Sequence, residues 1–400
     1  MSENYFMGLD GFVWFTGVVE DRNDPAQLGR VKVRCLGFHT ESKTDIPTED
    51  LPWAHVMHPV TDPSMQGMGT TPSFLVEGTW VVGFFRDAVE RQQPIIMGTL
   101  PGYPQNVADK EKGFNDPNAI YPQNPNEISG HDLNESDVNR LARNEENKAH
   151  SVIAKKDADY NAESAKDGRT TGVPIANTTD DNTDSTNEEW TEQASTYAAV
   201  YPKNHVYETE SGHIKEFDDT EGAERIHEYH KSGTFYEVDA SGNKHTRIVG
   251  TNYEVIAGSD FVNVKGTANL TIDSNCNTYI KGNWNIQVDG TKTEVVTGAV
   301  TQTYKDTKTE TVTKAVTETY SDTLTQAVTG DVTETYSATY DQDVTGAITV
   351  DGSTINLNNG TKGAARLDDT VDTGDDPAGI SGSDGSNKIE SASTTVIIGD

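Results

Sequence analysis

From residue 248 onward the apolar positions return every eight residues. Ile248, Ile256, Val264, Ile272, Ile280, Val288, Val296, Tyr304, Val312, Tyr320, Val328, Tyr336 and Val344 are thirteen consecutive anchors. Two residues after an anchor, glycine stands at eight of the thirteen places: Gly250, Gly258, Gly266, Gly282, Gly290, Gly298, Gly330 and Gly346. A fixed short period held this long signals one structural unit stacked many times. Eight residues hold a strand of about five or six residues plus a turn, with glycine supplying backbone freedom at the turn. Alternation along a strand divides each octad into two sides. Positions 1, 5 and 7 carry the anchors with Val262, Leu270, Trp284, Ile286, Val300, Val316, Leu324 and Val332. Positions 4, 6 and 8 are mostly Thr and Asn, as at Thr267, Asn269, Thr271, Asn283, Asn285, Thr307, Thr309 and Thr311, and read as solvent-facing ladders. One such strip is too thin to bury its apolar side alone. Three chains wound together close a triangular prism, one strand per face at each level, and leave no lateral sheet edge. Thirteen octads at about 4.8 Å per strand predict a rod of roughly 60 Å.

Upstream the pattern changes. Residues 1–102 read as a compact all-β domain. Strands are expected at Gly17-Val-Val-Glu-Asp-Arg22, at the alternating Arg30-Val-Lys-Val-Arg34, at Trp53-Ala-His-Val-Met57 and at Pro94-Ile-Ile-Met-Gly98. Phe74-Leu-Val76, Glu77-Gly78 and Trp80–Phe85 read as a tight hairpin. Five short strands in about ninety residues predict a small barrel such as an OB-fold. Residues 103–200 are rich in Asn, Asp, Glu, Pro and Ser and read as an extended polar linker that wraps a neighbour, with one helix expected at 135–156. Residues 201–247 resume short strands, punctuated by Ser211-Gly212, Glu221-Gly222, Ser232-Gly233 and Ser241-Gly242, and read as a neck. The octads fill 248–350, and 351–400 form a small tip.

Composition narrows the function classes. Hydrophobic residues are only 33% of the 400 and the formal charge is −33; mean hydropathy is −0.65. One large apolar core is not expected. No apolar run reaches the roughly 18–20 residues of a membrane span, and no basic-then-apolar leader is expected at the N-terminus. Cys35 and Cys276 stand far apart, which predicts free thiols in a chain made in a reducing cytosol. The negative charge argues against duplex nucleic acid as a ligand, because binding needs cations on the phosphates.

Together these features resemble the central spike, or needle, proteins of contractile-tailed phage baseplates, relatives of the VgrG spikes of type VI secretion. Gly17–Gly37, Glu77-Gly78-Thr-Trp80 and Pro94–Gly98 look like that family's OB-fold, and the Val/Ile-x-Gly octads look like its triple-stranded β-helix. Residues 204–213 and 224–230 look like the neck leading into the needle. The resemblance implies a homotrimer in the virion, at the tip of the tail baseplate. It also implies an OB-fold seated on a hub ring protein, a needle that meets the host envelope transiently, and a plug that leaves the tube before DNA passes. A separate tip protein is a further candidate partner. Some members carry a lysozyme domain between OB-fold and needle. Here only 103–200 lies there, without a scaffold to hold an acid pair at a defined separation. The expectation is therefore a structural protein with no catalytic residues. A tail-associated cell-wall hydrolase, a type VI-like secretion spike and a receptor-binding or polysaccharide-cleaving fibre are the alternatives.

Candidate chemistry is sparse. Glu77 and Trp80, in the hairpin of the barrel, are the candidate hub contacts. Residues 363–368 and 393–399 look like the sealing end of phage spikes or of PAAR-type tips, which bind iron or zinc through histidines. No His follows His245 and no Cys follows Cys276, so no metal and no cofactor are expected. His55/His58 and His227/His230 point to opposite sides of a strand and are expected at the surface or in turns. The Asp-rich stretch 368–376 lacks the spacing of a calcium loop. Glu294, Glu310, Glu318 and Glu334 lie on the anchor side of their octads. They are expected to turn outward, since an unpaired buried carboxylate is costly.

Overall fold

The computed structural model describes residues 12–87, 89–102, 109–115, 136–144, 169–175, 189–353, 370–371 and 387–388. Two units are distinguished, Met1–Thr297 and Gly298–Asp400. Five strands open the chain: β1 (Val13–Asp21), β2 (Val31–Cys35), β3 (Trp53–Val56), β4 (Trp80–Phe85) and β5 (Pro94–Thr99). They close into a barrel in the order β1-β2-β3-β5-β4, with β3 and β5 parallel and β4 returning to β1. Phe15, Val19, Val31, Val33, Cys35, Val81, Phe85 and Ile96 fill it. Two glycines let the backbones close up. A Cβ on Gly17 would lie 2.6 Å from the Arg34 carbonyl oxygen, and one on Gly83 only 2.1 Å from that of Ile95. The expected hairpin is corrected. The Glu77-Gly78 turn forms, with Gly78 at φ 92°, but 74–76 join no ladder. β4 pairs with β1 and β5 instead, because closure gives it two full partners.

A charged pair is sealed into the barrel wall. Arg34 and Glu20 have fully buried side chains and bond at 2.6 and 3.1 Å. The rest of the guanidinium donates to the carbonyls of Thr40 and Ile46 at 2.8 Å each. Every charge is therefore matched, which is the condition for tolerating such a pair. Burial pushes the Cys35 thiol up to about 12.

Two-residue strands β6 (Val173–Pro174) and β7 (Glu189–Trp190) pair with each other. A meander follows: β8 (Asn204–Glu208), β9 (Ile214–Asp218), β10 (Arg225–Tyr229), β11 (Phe235–Val238) and β12 (Lys244–Arg247), antiparallel throughout in the order β12-β11-β10-β9-β8. The expected turns are present. Gly212, Gly222, Gly233 and Gly242 hold φ between 77° and 93°, the left-handed region that glycine enters without strain. Beyond the octads β13 (Thr370–Val371) pairs with β14 (Asn387–Lys388). The helix expected at 135–156 is corrected where it is described. Residues 140–144 form turns, with Leu141 N–H bonded to the Asn139 side chain at 2.9 Å. The Asn side chain competes with helix by bonding the backbone locally. The rest of that stretch, and most of the tip at 351–400, lie outside the described residues.

Between 249 and 346 the backbone itself has period eight. A two-residue bend recurs at 249–250, 257–258, 265–266 and so on to 345–346, and the residues between join no helix or strand. No strand ladder links any two octads of this chain among the described residues.

Candidate functional site

Among the described residues no group of three or more His, Cys, Asp or Glu is arranged to hold a metal. What the chain offers is surface, and three regions carry it.

The first is the octad strip. The eight octad glycines occupy the second residue of each bend, yet none has φ in the left-handed region. A Cβ on any of them meets nothing within 4 Å in this chain. Ser274, Asp306, Lys314, Asp322 and Ala338 stand at the same place in the other octads. The anchors are less exposed than the residues just before them, whereas Val262 and Leu270 on the anchor side stand at 79% and 83%. Anchors are half covered by their own neighbours, Ile256 at 47% and Ile280 at 41%, while the preceding residues Val255 and Tyr279 stand at 91% and 89%. The seventh-position carboxylates have partners two residues away. Glu294 meets Lys292 at 2.8 Å and Glu310 meets Lys308 at 3.0 Å. Glu318 and Glu334 accept the hydroxyls of Tyr320 and Tyr336 at 3.0 Å each. Those bonds raise the tyrosine pKa values.

The second region is the neck, whose inner face is unexpectedly charged. Asn204, Glu216, Asp218, Arg225 and Glu237 are each under 5% exposed. Arg225 spans Glu216 at 2.8 Å and Glu237 at 2.9 Å, with its guanidinium 4.9 Å from the Tyr197 ring. Glu216 also accepts from Asn204 at 2.9 Å and meets His227 at 2.7 Å. Burial alone would raise the Glu216 carboxyl, but the His227 hydrogen bond and the Arg225 charge outweigh it and hold the group at about 2. This corrects the surface position expected of His227, which is 8% exposed; His230 is exposed and bonds Ser232. Two pieces of the 103–200 stretch lie over this face. Leu141 accepts from Tyr197 at 2.6 Å and from Asn204 at 3.3 Å. Ser195 donates to Glu237 at 2.7 Å, and Glu192 meets His245 at 3.1 Å.

The third region is the outside of the barrel. Phe12 and Trp14 are 49% and 53% exposed and form an aromatic cluster with Phe84, ring centroids 5.3–5.8 Å apart. Trp80, 39% exposed, stacks on Phe114. Glu77 is 3% exposed and faces Arg22 at 3.4 Å; Arg22 in turn grips Glu210 of the neck with two bonds of 2.7 and 2.8 Å. Glu77 is thus engaged inside the chain, whereas Trp80 keeps an open edge. Neither the Phe12–Trp14 cluster nor the buried neck network was foreseen. The signal for the latter was the alternation of charges at Glu216, Arg225, His227 and Glu237, read as solvated faces.

Residues 37–188 match the family described as Gp5 N-terminal OB domain. Protein Gp5 of Vibrio phage KVP40 (isolate Vibrio parahaemolyticus/Japan/Matsuzaki/1991) is 41% identical over 300 residues, 68% of this chain and 66% of that protein. The chain belongs to the Gp5 family of phage baseplate central-spike proteins. Pre-baseplate central spike protein Gp5 of Enterobacteria phage T4 is 43% identical over 115 residues, 28% of this chain and 20% of that protein. The matched stretch therefore spans just under two thirds of one relative and a fifth of the other. Membership of the Gp5 family makes the chain a component of the virion, at the tail baseplate, and identifies its closed barrel as an OB-fold.

Proposed function

We propose that three copies of this chain form the central spike of a contractile tail, with the octads wound into a triple-stranded β-helix that pierces the host outer membrane. One observation carries the reading: 249–346 keep an eight-residue backbone period while joining no strand ladder among the described residues. Extended backbone left with unpaired N–H and C=O groups is a template for other strands, and the half-covered anchors give those strands an apolar side to bury. The hub ring protein binds the barrel, for which the exposed Phe12–Trp14 cluster and Trp80 offer rigid aromatic contact. The spike plugs the hub, and a separate tip protein is a candidate at its far end. The work is mechanical: stiffness and a narrow cross-section concentrate the contraction force, and no bond is made or broken. The described pieces of 103–200 support this, since they are turns and short ladders lying on other parts of the chain. A zymogram on peptidoglycan should give no lytic band; a clear one would restore the hydrolase alternative. Both relatives are phage proteins, which favours a tail over a secretion apparatus.

The deciding experiment is the mass of the full chain in solution, joined to the reactivity of Cys276. Its thiol is exposed in the single chain and stands at position 5, on the anchor side. The expected result is a trimer that resists SDS and shields Cys276 from maleimide. A folded monomer with a freely reactive Cys276 rules the intertwined helix out.

A further inference from the structure

The covered face of the neck has two parts. Val206, Ile214, Tyr229 and Phe235 pack with Leu141 and Tyr197 as an apolar cluster. Beside it Asn204, Asp218 and Arg225 form one row, opposite one another on β8, β9 and β10, and each is under 5% exposed. Most of their polar atoms are already bonded. Both hydrogens of the Asn204 amide are used, on the Leu141 carbonyl at 3.3 Å and on Glu216 at 2.9 Å, so turning the amide over gains nothing. Asp218 Oδ1 accepts from the Thr220 N–H at 3.0 Å and from the Thr220 hydroxyl at 2.6 Å. The terminal nitrogens of Arg225 donate to Glu237 and Glu216. Three buried atoms of this row remain without a partner: Asn204 Oδ1, Asp218 Oδ2 and Arg225 Nε.

The bonds already made bring these side chains together. Asn204 Nδ2 and Arg225 Nη2 donate to the same oxygen, Glu216 Oε1, so the two side chains meet above β9. Nε and Nη2 form one edge of a guanidinium, the edge that Arg34 lays on Glu20 in the barrel. With Nη2 on Glu216 of β9, the Arg225 Nε–H is turned toward β9, where Asp218 stands. Side chains opposite one another on adjacent strands are about 5 Å apart, and a water making hydrogen bonds of about 2.8 Å spans that interval.

The chemistry of the set selects the ligand. It offers one donor and two acceptors. A water accepts from the N–H and donates one hydrogen to each oxygen, so all three are satisfied at once. A metal ion would serve the two oxygens only and would sit against the Arg225 guanidinium. An anion would meet two oxygens that can only accept. Buried polar atoms are rarely left bare, and buried waters make about three hydrogen bonds to such atoms. We propose that Asn204, Asp218 and Arg225 form a binding site for one internal water molecule, which joins β8, β9 and β10 beneath residues 139–142. The Leu141 carbonyl, held by the Asn204 amide, ties that segment to the same site. The site is built within one copy of the chain and does not depend on the trimeric reading.

A high-resolution crystal structure of the full-length chain tests this, with a second data set from crystals grown in rubidium salts in place of sodium and potassium. The expected result is a single solvent peak in every copy of the chain, about 2.7–3.2 Å from Asn204 Oδ1, Asp218 Oδ2 and Arg225 Nε, without anomalous signal from rubidium. An anomalous peak there assigns the site to a monovalent cation and overturns the proposal. So does a structure in which Asp218 Oδ2 bonds Arg225 Nε or Asn204 directly, with no solvent between them. Asp218→Asn gives an independent check. It turns one acceptor into a donor, to which a water can offer its second lone pair, whereas a cation would be expelled. The peak should therefore persist in that variant, and its loss overturns the assignment to water.

Discussion

In the barrel each strand lies between two neighbours of its own chain, and the core residues Val18, Val19, Val33 and Val81 are wholly buried. In the octads the same residue types are at least 41% exposed, and no strand ladder engages their backbone among the described residues. Both regions are rich in Val, Ile and Thr, and both alternate. The difference is how many strands one chain brings to one place. Ninety residues folded back on themselves five times close a sheet. The octads bend once every eight residues and form no ladder with one another among the described residues. The first region closes its sheet within one chain, and the second joins no ladder of its own chain among the described residues. The neck stands between these cases, with one face covered by other parts of its own chain and Phe217, Ile226 and Tyr207 exposed on the other.

Perturbations that separate the regions sharpen this contrast. The largest effect is expected from Val312→Asp, which sets three carboxylates at one level of the proposed prism, desolvated and mutually repelling. Trimers should fail to form by sedimentation or lose SDS resistance, while Thr309→Asp on the other side should keep both. Equal damage from the two would mean that the inner side is assigned wrongly. Next comes Glu20→Ala, which strands Arg34 inside the barrel wall. It should cost about 3–5 kcal/mol in barrel unfolding and leave the oligomeric state unchanged. A coupled loss of trimer would show that the two regions are not independent.

Gly83→Ala presses a methyl against the Ile95 carbonyl, and overpacking of that kind costs about 3 kcal/mol. Its counterpart Gly330→Ala meets nothing within the chain and should shift stability by under about 1 kcal/mol. A large loss at Gly330 would reveal a close backbone from another copy. Between these two in size lies Glu216→Gln, which weakens a charge-assisted network worth about 1.5–3 kcal/mol. Glu216 titrates lower in the fold, at about 2, than its ordinary 4.5. Its contribution is thus full above about pH 4.5 and fades as pH falls toward 2. The melting-temperature gap between wild type and Glu216→Gln should be constant near neutrality and close in that acid window. A gap that widens on acidification would contradict the assigned charge state.

Much of the fold was legible from local pattern. Alternation located all five barrel strands within a few residues, and Ser-Gly dipeptides located three of the four neck turns with Glu221-Gly222 the fourth, because a left-handed backbone position selects glycine directly. The hairpin at 74–85 was misread because a turn signal reports where the chain reverses, not which strand it then joins. Within the helix expected at 135–156, the described residues 140–144 form turns instead, because helical composition does not register a side chain such as Asn139 capturing a nearby N–H. His227 was taken for a surface residue because charge in a sequence looks solvated. Only the approach of Glu216, Arg225 and Glu237 from neighbouring strands makes burial tolerable.

The sequence by itself determined what repeats: the octad period, the turn positions and an all-β chain with little core of its own. These are local properties, carried by residue type and spacing. Tertiary structure alone decided which strands pair, that the barrel closes through β1 and β4, and that the neck buries a charged network beside its apolar cluster. Those outcomes depend on groups far apart in the chain meeting at hydrogen-bond distance, as Ser195 meets Glu237 and Leu141 meets Asn204, and no local spacing encodes such a meeting.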